Sequence, residues 1–309
     1  MRIAVIGRTK MLLDSAMRAL ELKHEIPLVI TSKAEEFYSV TESDFESFAE
    51  KIGAEFRCAN TLNNDAIQAD MKSAKCDLAI SMNWPTLINA NALNLFPFGI
   101  FNAHPGALPR YRGNACPNWA ILNGEKSVGL TVHQMEPDLD AGPVFISSEL
   151  AINERTYIGD IYRWLGEAVP DAFTSLLRKL KSGAARGVPQ SEMGATPLRC
   201  YPRRPSDSKI NWSNSVEEIT RVVRASSKPF SGAYSFLESG EKISIWRAEP
   251  YDLLDPFLAI PGQIAGSVEE CPIILTGDGA VKLTDLSFEN TNDSVSTKLL
   301  SKSLRARLI

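Results

Sequence analysis

The feature that most limits the fold of this chain is a regular alternation, over its N-terminal half, of apolar strand-like runs with amphipathic helix-like segments. RIAVIG, IPLVIT, CDLAISMN and FGIFNAH have the continuous apolar character of strands that are buried on both faces. Helical patterns lie between such runs, as in LLDSAMRALEL and DFESFAEKIGA. Strands that alternate with helices predict βαβ units, a mainly parallel α/β sheet, and helices on both faces of that sheet.

Two further apolar runs, SVGLTVHQM and GPVFISSEL, lie close together in the chain, and we expect them to form an antiparallel pair at the sheet edge. A long helical pattern then covers residues 156–182. Pro170 lies inside this pattern and should kink or break the helix, because proline removes one backbone donor and its ring meets the preceding turn.

The character of the sequence changes after this helix. Residues 186–205 are polar and contain Gly and Pro, which predicts a linker between a first domain at 1–185 and a second at 206–309. The second domain starts with an amphipathic segment and continues with short strand patterns. TGDGAVKL carries the Asp-Gly signal of a hairpin. These features predict a small, mostly β domain with the form of a partly open barrel.

Composition excludes several classes of protein. Of the 309 residues, 44% are hydrophobic and 23% are charged, as in ordinary globular proteins. The net charge of −4 argues against nucleic acid as the main partner, because phosphate binding depends on clustered Lys and Arg. The five cysteines are odd in number and widely spaced, and no CxxC occurs. We therefore expect reduced thiols, with neither a disulfide framework nor a metal site.

The sequence carries no sign of export or of membrane insertion. MRIAVIGRTK enters an apolar run at once and has no cleavage pattern after it. Apolar runs stay well short of the roughly 20 residues that span a bilayer. We therefore expect a cytoplasmic protein with no membrane association. A dinucleotide site is also disfavoured, because the first strand is followed by RTKMLL and lacks the further glycines that let a pyrophosphate approach.

A polar pair ends one of the predicted strands, in the stretch FNAHPGALPRYRG. Asn102 and His104 are two residues apart on a strand, so both side chains point to the same side of the sheet. The Pro-Gly dipeptide that follows stops the strand. An open α/β sheet forms its binding crevice at such carboxyl ends. The other histidines are interpreted as a surface residue, His24, and a packing residue within a strand, His133.

Two carboxylates follow in MEPDLDAGPVF, where Asp138 and Asp140 occupy a loop before a strand. One of them would orient His104 or raise its pKa through a carboxylate–imidazole pair. The Asn102 amide is a neutral donor suited to a developing oxyanion. Singly, each residue also has a structural interpretation, as a turn former or a cap. Because no nucleophile motif occurs and Cys116 is expected to pack, the set indicates direct attack of a neutral nucleophile on an acyl carbon.

These two stretches resemble the paired signatures of the folate-dependent formyltransferases. That family includes methionyl-tRNA formyltransferase, glycinamide ribonucleotide formyltransferase and the sugar-nucleotide N-formyltransferases. DSKINWSNSVEEITRVVRASSKPFSGAYS is similar to the join between the two domains of the tRNA and sugar members. The resemblance covers nearly the whole chain, whereas the glycinamide enzyme lacks the C-terminal domain. It implies a Rossmann-like catalytic domain at 1–185 and an OB-like domain at 206–309.

The resemblance also implies a role for each motif residue. Asn102 would hold the formyl oxygen as it becomes anionic. His104 would share that task and handle the proton of the amine, and Asp140 would orient His104. The formyl donor would be 10-formyltetrahydrofolate, as a co-substrate.

By the same resemblance, the pterin of the folate lies against the backbone of two loops, and backbone amides match its alternating donors and acceptors. The loop residues concerned are Thr86, Leu87, Ile88, Glu136, Pro137, Asp138 and Leu139. One position departs from the family: Asn114 stands where relatives that act on a pentose sugar nucleotide have Arg. This departure disfavours that pentose and the folate contact expected there.

The expected acceptor is a sugar nucleotide. Members that act on tRNA carry a long basic loop after the second strand, whereas this chain has the acidic stretch TSKAEEFYSVTESDFESF there. RRPSDS in the linker is closer to the sugar type. Arg203, Arg204 and Arg112 are therefore candidates for contact with the substrate diphosphate. For the Arg203–Arg204 pair, a solvated linker is an equally good interpretation.

The sequence therefore predicts a cytoplasmic N-formyltransferase that acts on a nucleotide-linked amino sugar for surface polysaccharide, such as lipopolysaccharide O-antigen. Its partners would be small molecules, nucleic acid is disfavoured, and a homodimer is left open. The enzymatic alternative is methionyl-tRNA formyltransferase. The alternative that is not an enzyme, a binding module that has lost activity, is disfavoured because Asn102, His104 and Asp140 are all present.

Overall fold

The computed structural model describes residues 1–255, 257–289 and 307–309. They form two compact units, each built from several stretches of chain. The first unit comprises Met1–Cys116, Ser127–Ala151 and Tyr162–Tyr201, and the second comprises Pro117–Lys126, Ile152–Ile161 and the described part of Pro202–Ile309. The division into 1–185, 186–205 and 206–309 stays a prediction.

Seven strands form the main sheet of the first unit, in the order β3-β2-β1-β4-β5-β7-β8. Their bounds are β1 (Arg2–Gly7), β2 (Glu25–Thr31), β3 (Glu55–Cys58), β4 (Leu78–Met82), β5 (Ile100–His104), β7 (Ser127–Gln134) and β8 (Val144–Ala151). Strands β1 to β5 pair in parallel. Strand β7 is antiparallel to both β5 and β8. The mainly parallel α/β sheet and the antiparallel pair at its edge are confirmed.

The centre of this sheet is apolar on both faces, as the continuous apolar runs predict. Ile3, Ala4, Val5 and Ile6 of β1 are all 0% exposed. Strand β3 was missing from the prediction: EFRC is short, polar and half-buried, so no apolar run marks it.

Helices connect these strands, and polar caps fix several of their starts. The helices are α1 (Lys10–Glu21), α2 (Glu42–Ile52), α3 (Asp65–Ser73), α4 (Ala90–Leu93), α5 (Cys116–Leu122) and α6 (Ile158–Lys181). The Thr9 side chain caps α1 by accepting from the Leu12 N–H, and Asn64 caps α3 by accepting from the N–H of Ala66.

Of the predicted kink or break at Pro170, the break does not occur, because α6 continues through that residue, and the kink stays a prediction. Val169 and Phe173, on either side of the proline, are both fully buried. Packing of this apolar face outweighs the loss of one backbone hydrogen bond.

The segment after α6 contains ordered structure within the first unit. Val144 and Val188 exchange two backbone hydrogen bonds of 2.9 and 2.8 Å. A 3₁₀ turn follows at Gln190–Glu192, and strand β9 (Arg199–Cys200) pairs in parallel with β6 (Arg112–Gly113). These contacts hold residues 188–200 against the loop that leaves β5.

The second unit consists mainly of an antiparallel sheet with the order β10-β11-β14-β13-β12. Its elements are helix α7 (Val216–Ser226) and strands β10 (Ala233–Phe236), β11 (Lys242–Tyr251), β12 (Ile264–Val268), β13 (Cys271–Leu275) and β14 (Ala280–Phe288). Ser215 and Glu218 form a capping box at the start of α7. The predicted mostly β domain is confirmed, as is the Asp-Gly hairpin, which joins β13 to β14.

The last described residues connect the two edges of this sheet. Leu308 bridges Leu237, just beyond β10, and Arg307 bridges Gln263, just before β12. Trp212, Ile219 and Val223 belong to the buried core that the sheet covers. This partial closure matches the open-barrel form expected from the sequence.

Candidate active site

Asn102 and His104 lie at the carboxyl end of β5, where the parallel part of the sheet meets antiparallel β7. Across this boundary Asn102 is opposite His133, and His104 is opposite Thr131. The Asn102 side chain contacts His133, with Nδ2 at 3.3 Å from Nε2. His104 is 4% exposed. The polar end of β5 is thus turned into a buried cluster.

The His104 ring lies between two acceptors. Its Nε2 donates to the carbonyl oxygen of Tyr111 at 2.6 Å, and its Nδ1 lies 3.5 Å from Oδ2 of Asp140. Burial lowers the pKa of His104, opposed by the charge of Asp140 and the Tyr111 carbonyl, and the net direction is downward. Because Nε2 carries the proton, Nδ1 is the nitrogen of the neutral ring that is able to accept one.

Asp140 is held as a carboxylate by neighbours on several sides. Its Oδ2 accepts from the Gly113 N–H at 2.8 Å, and its Oδ1 lies 3.4 Å from Nε2 of His133. Burial raises the pKa of Asp140, but His104, His133 and the Gly113 N–H outweigh it and lower the pKa to about 2. Asp140 therefore stays ionised at neutral pH beside the ring it faces.

His133 is a member of this cluster, which corrects its interpretation as a packing residue. It is 1% exposed and contacts both Asn102 and Asp140, while its Nδ1 lies 3.1 Å from the Gln134 carbonyl. One feature of the sequence could have identified His133 as a site residue. It lies near the end of β7, the strand that leads into the loop of Asp140. The pairing of that strand with β5 brings His133 to Asn102.

The loop from Tyr111 to Cys116 supplies backbone groups to the same cluster. Tyr111, Gly113 and Ala115 have φ of 59°, 99° and 53°, in the left-handed region that side chains disfavour. This conformation presents the Tyr111 carbonyl to His104 and the Gly113 N–H to Asp140. Sequence reasoning missed both groups, because side-chain motifs do not show backbone contacts.

Cys116 lies beside His104 as a neutral thiol. Its Sγ is 2.9 Å from the Tyr111 carbonyl and 3.7 Å from Nε2 of His104. A hydrogen bond with Cys200, together with burial, raises the pKa of Cys116. A thiol that stays protonated is a poor nucleophile, which agrees with the expected packing role.

The first predicted folate loop, Thr86–Ile88, follows β4 at the same carboxyl edge. Leu87 is 62% exposed, while Ile88 is buried and anchors the loop. The side chain of Asn63 holds the loop by donating to the Leu87 carbonyl at 3.0 Å and accepting from the Asn89 N–H at 2.9 Å.

The second predicted folate loop connects β7 to β8 and ends at Asp140. Glu136, Pro137 and Asp138 are exposed, and Leu139 is partly buried. Of the two candidate carboxylates, Asp140 is the one that contacts His104, while Asp138 faces solvent.

The three candidate arginines differ in their surroundings. Arg112 belongs to the first unit, where Nε and Nη2 donate to Oε1 of Gln190 at 3.0 and 2.5 Å. Arg203 belongs to the second unit; its Nη2 donates to the Asp207 carbonyl at 3.1 Å, and burial lowers its pKa. Arg204 is exposed, and its backbone N–H donates to Asp207.

Asn114, the position that departs from the family pattern, is exposed, and its backbone N–H donates to the Cys200 carbonyl.

Two general features accompany this site. Among residues 1–255, 257–289 and 307–309, side chains of His, Cys, Asp and Glu form no group of three or more suited to hold a metal ion. Within the same described ranges, no helix has the length and apolar character needed to cross a bilayer.

Known structures with the same fold include formyltransferases. HypX from Aquifex aeolicus in complex with tetrahydrofolic acid matches 94% of this chain at 21% identity and a TM-score of 0.62. This chain spans only 44% of the length of HypX. WlaRD, a sugar 3N-formyl transferase crystallised with dTDP and 5-N-formyl-THF, matches at 17% identity and a TM-score of 0.66, covering 94% of this chain and 99% of WlaRD.

A third match is the N-formyltransferase from Helicobacter canadensis in complex with folinic acid and dTDP-3-aminofucose. It has 16% identity and a TM-score of 0.64, with 91% of this chain and 98% of that chain covered. At these identities the matches show the fold.

Family models establish the relationship at the level of sequence. Residues 203–302 match the model described as formyl transferase, C-terminal domain. Residues 1–177, which are more than half of the 309, match the model described as formyl transferase and include the whole Asn102–His104–Asp140 cluster. The chain belongs to the formyl transferase family.

Proposed function

We propose that this enzyme transfers the formyl group of 10-formyltetrahydrofolate to the amine of a nucleotide-linked amino sugar. The observation that carries the proposal is the buried Asn102–His104–Asp140 cluster at the carboxyl edge of the sheet. Membership of the formyl transferase family supports the reaction class. The folate and dTDP-sugar ligands of the similar structures support the donor and the type of acceptor.

Asn102 would stabilise the negative charge that develops on the formyl oxygen. When the amine nitrogen attacks the formyl carbon, the C=O electron pair moves onto oxygen, and a tetrahedral intermediate forms. An amide nitrogen carries two hydrogens, so Nδ2 can bond to His133 and still offer one N–H to the oxyanion. A fixed neutral donor in a buried cluster is well suited to this task.

His104 and Asp140 would handle the proton of the amine. The attacking amine becomes cationic in the intermediate and must lose a proton. The neutral His104 ring would accept this proton, and Asp140, whose Oδ2 lies 3.5 Å from Nδ1, would stabilise the imidazolium that results. The C–N bond to N10 of the folate then breaks, and that nitrogen takes a proton as it leaves.

The donor would lie along the two loops at this edge, Thr86–Ile88 and Glu136–Leu139. Both lie at the edge that carries the cluster, since one follows β4, the strand paired with β5, and the other ends at Asp140. Their backbone N–H and C=O groups would pair with the pterin, as the family resemblance implies.

A sugar nucleotide is favoured over initiator tRNA by the connection after β2. It has only ten residues, 32–41, between the end of β2 and the start of α2, with one lysine and two glutamates. Lys33 is thus the single cation of this connection, and a tRNA phosphate backbone requires several. Arg203 and Arg204 stay candidates for the diphosphate. The product would serve surface polysaccharide such as O-antigen, and the enzyme would act in the cytoplasm.

The direct test is incubation with 10-formyltetrahydrofolate and a panel of amino-sugar nucleotides, with charged initiator tRNA in parallel. We expect formylation of at least one sugar nucleotide and none of the tRNA. Salt provides an independent criterion, because an enzyme with about six phosphate contacts loses roughly 10³ in affinity for nucleic acid between 50 and 200 mM salt. Tight, salt-sensitive binding and formylation of initiator tRNA would replace the proposal with methionyl-tRNA formyltransferase.

A further inference from the structure

Gln190 is a buried polar residue in the segment after α6, which the sequence marks only as a linker. It is 5% exposed, and its side-chain amide uses its full hydrogen-bonding capacity. Nε2 donates to the carbonyls of Asp140 and Gly142 at 2.7 and 2.8 Å. Oε1 accepts from Nε and Nη2 of Arg112. One side chain therefore joins two separate parts of the active-site cluster.

Both parts position the carboxylate of Asp140. Asp140 has a φ of 48°, an unfavourable backbone conformation for a residue other than glycine, which persists only where its surroundings hold it. The bond from Gln190 to the Asp140 carbonyl supplies such a hold. Arg112 directly precedes Gly113, the residue whose N–H binds the Asp140 carboxylate at 2.8 Å. Gln190 thus fixes the backbone that carries the carboxylate and the residue next to its main donor.

The segment does not depend on Gln190 for its own attachment. Val188 exchanges two backbone hydrogen bonds with Val144, and β9 pairs with β6. Removing the Gln190 amide should therefore leave the segment in place and change mainly the two bonds to the loop of Asp140 and the two bonds from Arg112.

We propose that Gln190, with Arg112 as its partner, is a positioning residue for Asp140 in formyl transfer. The proposal rests on the role proposed above for Asp140 and revises the expectation for Arg112, whose guanidinium is engaged by Gln190. A displaced carboxylate no longer stabilises the imidazolium of His104, so the proton-transfer step slows while both substrates still bind. A shift of about 1 Å in a catalytic group reduces rates by up to about 10²-fold.

The central experiment compares Gln190→Met, which keeps the length and removes all four hydrogen bonds, with wild type and with Gln68→Met. Gln68 is a matched control, because its amide also donates to a backbone carbonyl, that of Leu62, but in α3. We expect kcat of Gln190→Met to fall about 10- to 10²-fold with KM for both substrates within about threefold. Gln68→Met should keep wild-type kcat. A wild-type kcat in Gln190→Met overturns the proposal.

A double-mutant cycle separates positioning from a general structural role. If Gln190 acts through Asp140, Gln190→Met should reduce kcat little further in the Asp140→Asn background. Additive losses would contradict the proposal.

Arg112→Met tests the same connection from its other end, and it replaces Gln190→Met in these measurements if that variant does not fold. We expect a lower kcat and an unchanged acceptor KM, whereas a raised acceptor KM with unchanged kcat would return Arg112 to substrate binding.

An NMR titration of the His104 ring tests the positioning role without any substrate. The titratable groups that face this ring are Asp140, His133 and Cys116, and the substitution replaces none of these three residues. Displacement of the Asp140 charge should lower the pKa of His104 in Gln190→Met and not in Gln68→Met. An unchanged His104 titration overturns the inference. A wild-type enzyme that formylates no amino-sugar nucleotide would instead contradict the proposed function and leave the titration to decide the role of Gln190.

Discussion

The first unit has unfavourable backbone conformations at its candidate active site, whereas the second unit has them in a hairpin turn. In the first unit, Tyr111, Ala115 and Asp140 have positive φ and lie in loops of the site, while Lys23, Lys75 and Asn83 have positive φ outside those loops. In the second unit, Glu269 and Glu270 have φ of 54° and 64° and form the two-residue turn between β12 and β13. Such a turn requires positive φ at both positions whatever the function of the domain.

Buried polar groups differ in the same way. In the second unit Ser235 is 0% exposed and accepts from Nε1 of Trp212 at 2.9 Å, while its hydroxyl donates to the Ile309 carbonyl at 3.0 Å. The Ser235 hydroxyl thus uses both its acceptor and its donor, and it faces no ionisable side chain in this set. In the active-site cluster a buried carboxylate, Asp140, faces two imidazoles at 3.4 and 3.5 Å. The first arrangement stabilises a fold, and the second holds charge ready for a reaction.

The strongest way to break this comparison is to remove a side chain of the cluster. Asn102→Ala and His104→Ala should each lower kcat by about 10²–10³, the usual loss for an oxyanion or proton-transfer group. The free energy of unfolding should change little in Asn102→Ala, because Asn102 is only partly buried. It should fall more in His104→Ala, because His104 is buried and is a partner of the Asp140 carboxylate. Steady-state kinetics and urea denaturation measure the two quantities. A near-normal kcat in either variant would show that the site is wrongly assigned.

Replacing the charge of the cluster should affect both activity and stability. Asp140→Asn should lower kcat about 10²-fold with ligand binding mostly retained, because the imidazolium loses its partner in the transition state. In wild type, the pKa of Asp140 lowered from 3.8 to about 2 corresponds to about 2 kcal/mol of stability.

The sign of this contribution gives a pH test. A lowered carboxyl pKa stabilises the fold fully above the unfolded pKa, near 4, and this contribution is lost as the pH falls to about 2. The difference in unfolding free energy between wild type and Asp140→Asn should therefore shrink over that pH range. A difference that does not vary with pH would show that Asp140 is not ionised in the cluster.

If Asp138→Asn loses activity while Asp140→Asn keeps it, the catalytic role moves to Asp138.

In the second unit, loss of a buried polar group should act on stability alone. Ser235→Ala leaves the buried Nε1 of Trp212 without its partner and removes one of the two hydrogen bonds to the Ile309 oxygen, the other coming from the Phe236 N–H. Unfolding should therefore become easier by about 1–3 kcal/mol, with kcat unchanged. Ser32→Ala is the matched control, because the Ser32 hydroxyl is buried and has no hydrogen-bond partner in the described part of the chain. That variant should stay within about 0.5 kcal/mol of wild type. Equal losses in both variants would contradict the argument.

The comparison also explains what sequence reasoning found and what it missed. Strands with continuous apolar runs, such as β1 and β4, were predicted correctly because burial on both faces leaves a plain pattern. Two-residue strands such as β6 and β9 leave none. Asn102 and His104 were predicted from the sequence motif, while the choice of Asp140 over Asp138 came from the family resemblance. The structure brings the three side chains into one cluster, and their catalytic roles stay a prediction.

The missed residues depend on contacts that spacing does not encode. His133 reaches Asn102 only through the register of two antiparallel strands. Gln190 lies 50 residues from Asp140 and 78 from Arg112 in the chain. The Tyr111 carbonyl and the Gly113 N–H reach their partners through backbone conformation. Such partners become visible only when the loops are placed in three dimensions.

The smallest expected effects come from glycine substitutions at matched strained positions, Ala115 and Glu270. Glycine accepts positive φ freely, which relieves about 1–2 kcal/mol of strain, and its larger unfolded-state entropy offsets part of that gain. Ala115→Gly and Glu270→Gly should therefore each be neutral or up to about 1 kcal/mol more stable than wild type. The activities of the two variants should differ. Glu270→Gly changes only a hairpin turn. Ala115→Gly loosens the loop that presents the Tyr111 carbonyl to His104 and the Gly113 N–H to Asp140. We expect kcat to fall a few-fold in Ala115→Gly alone, measured beside thermal unfolding of both variants. If both variants keep full activity, the strained conformation at Ala115 is a turn like that at Glu270 and has no part in holding the site.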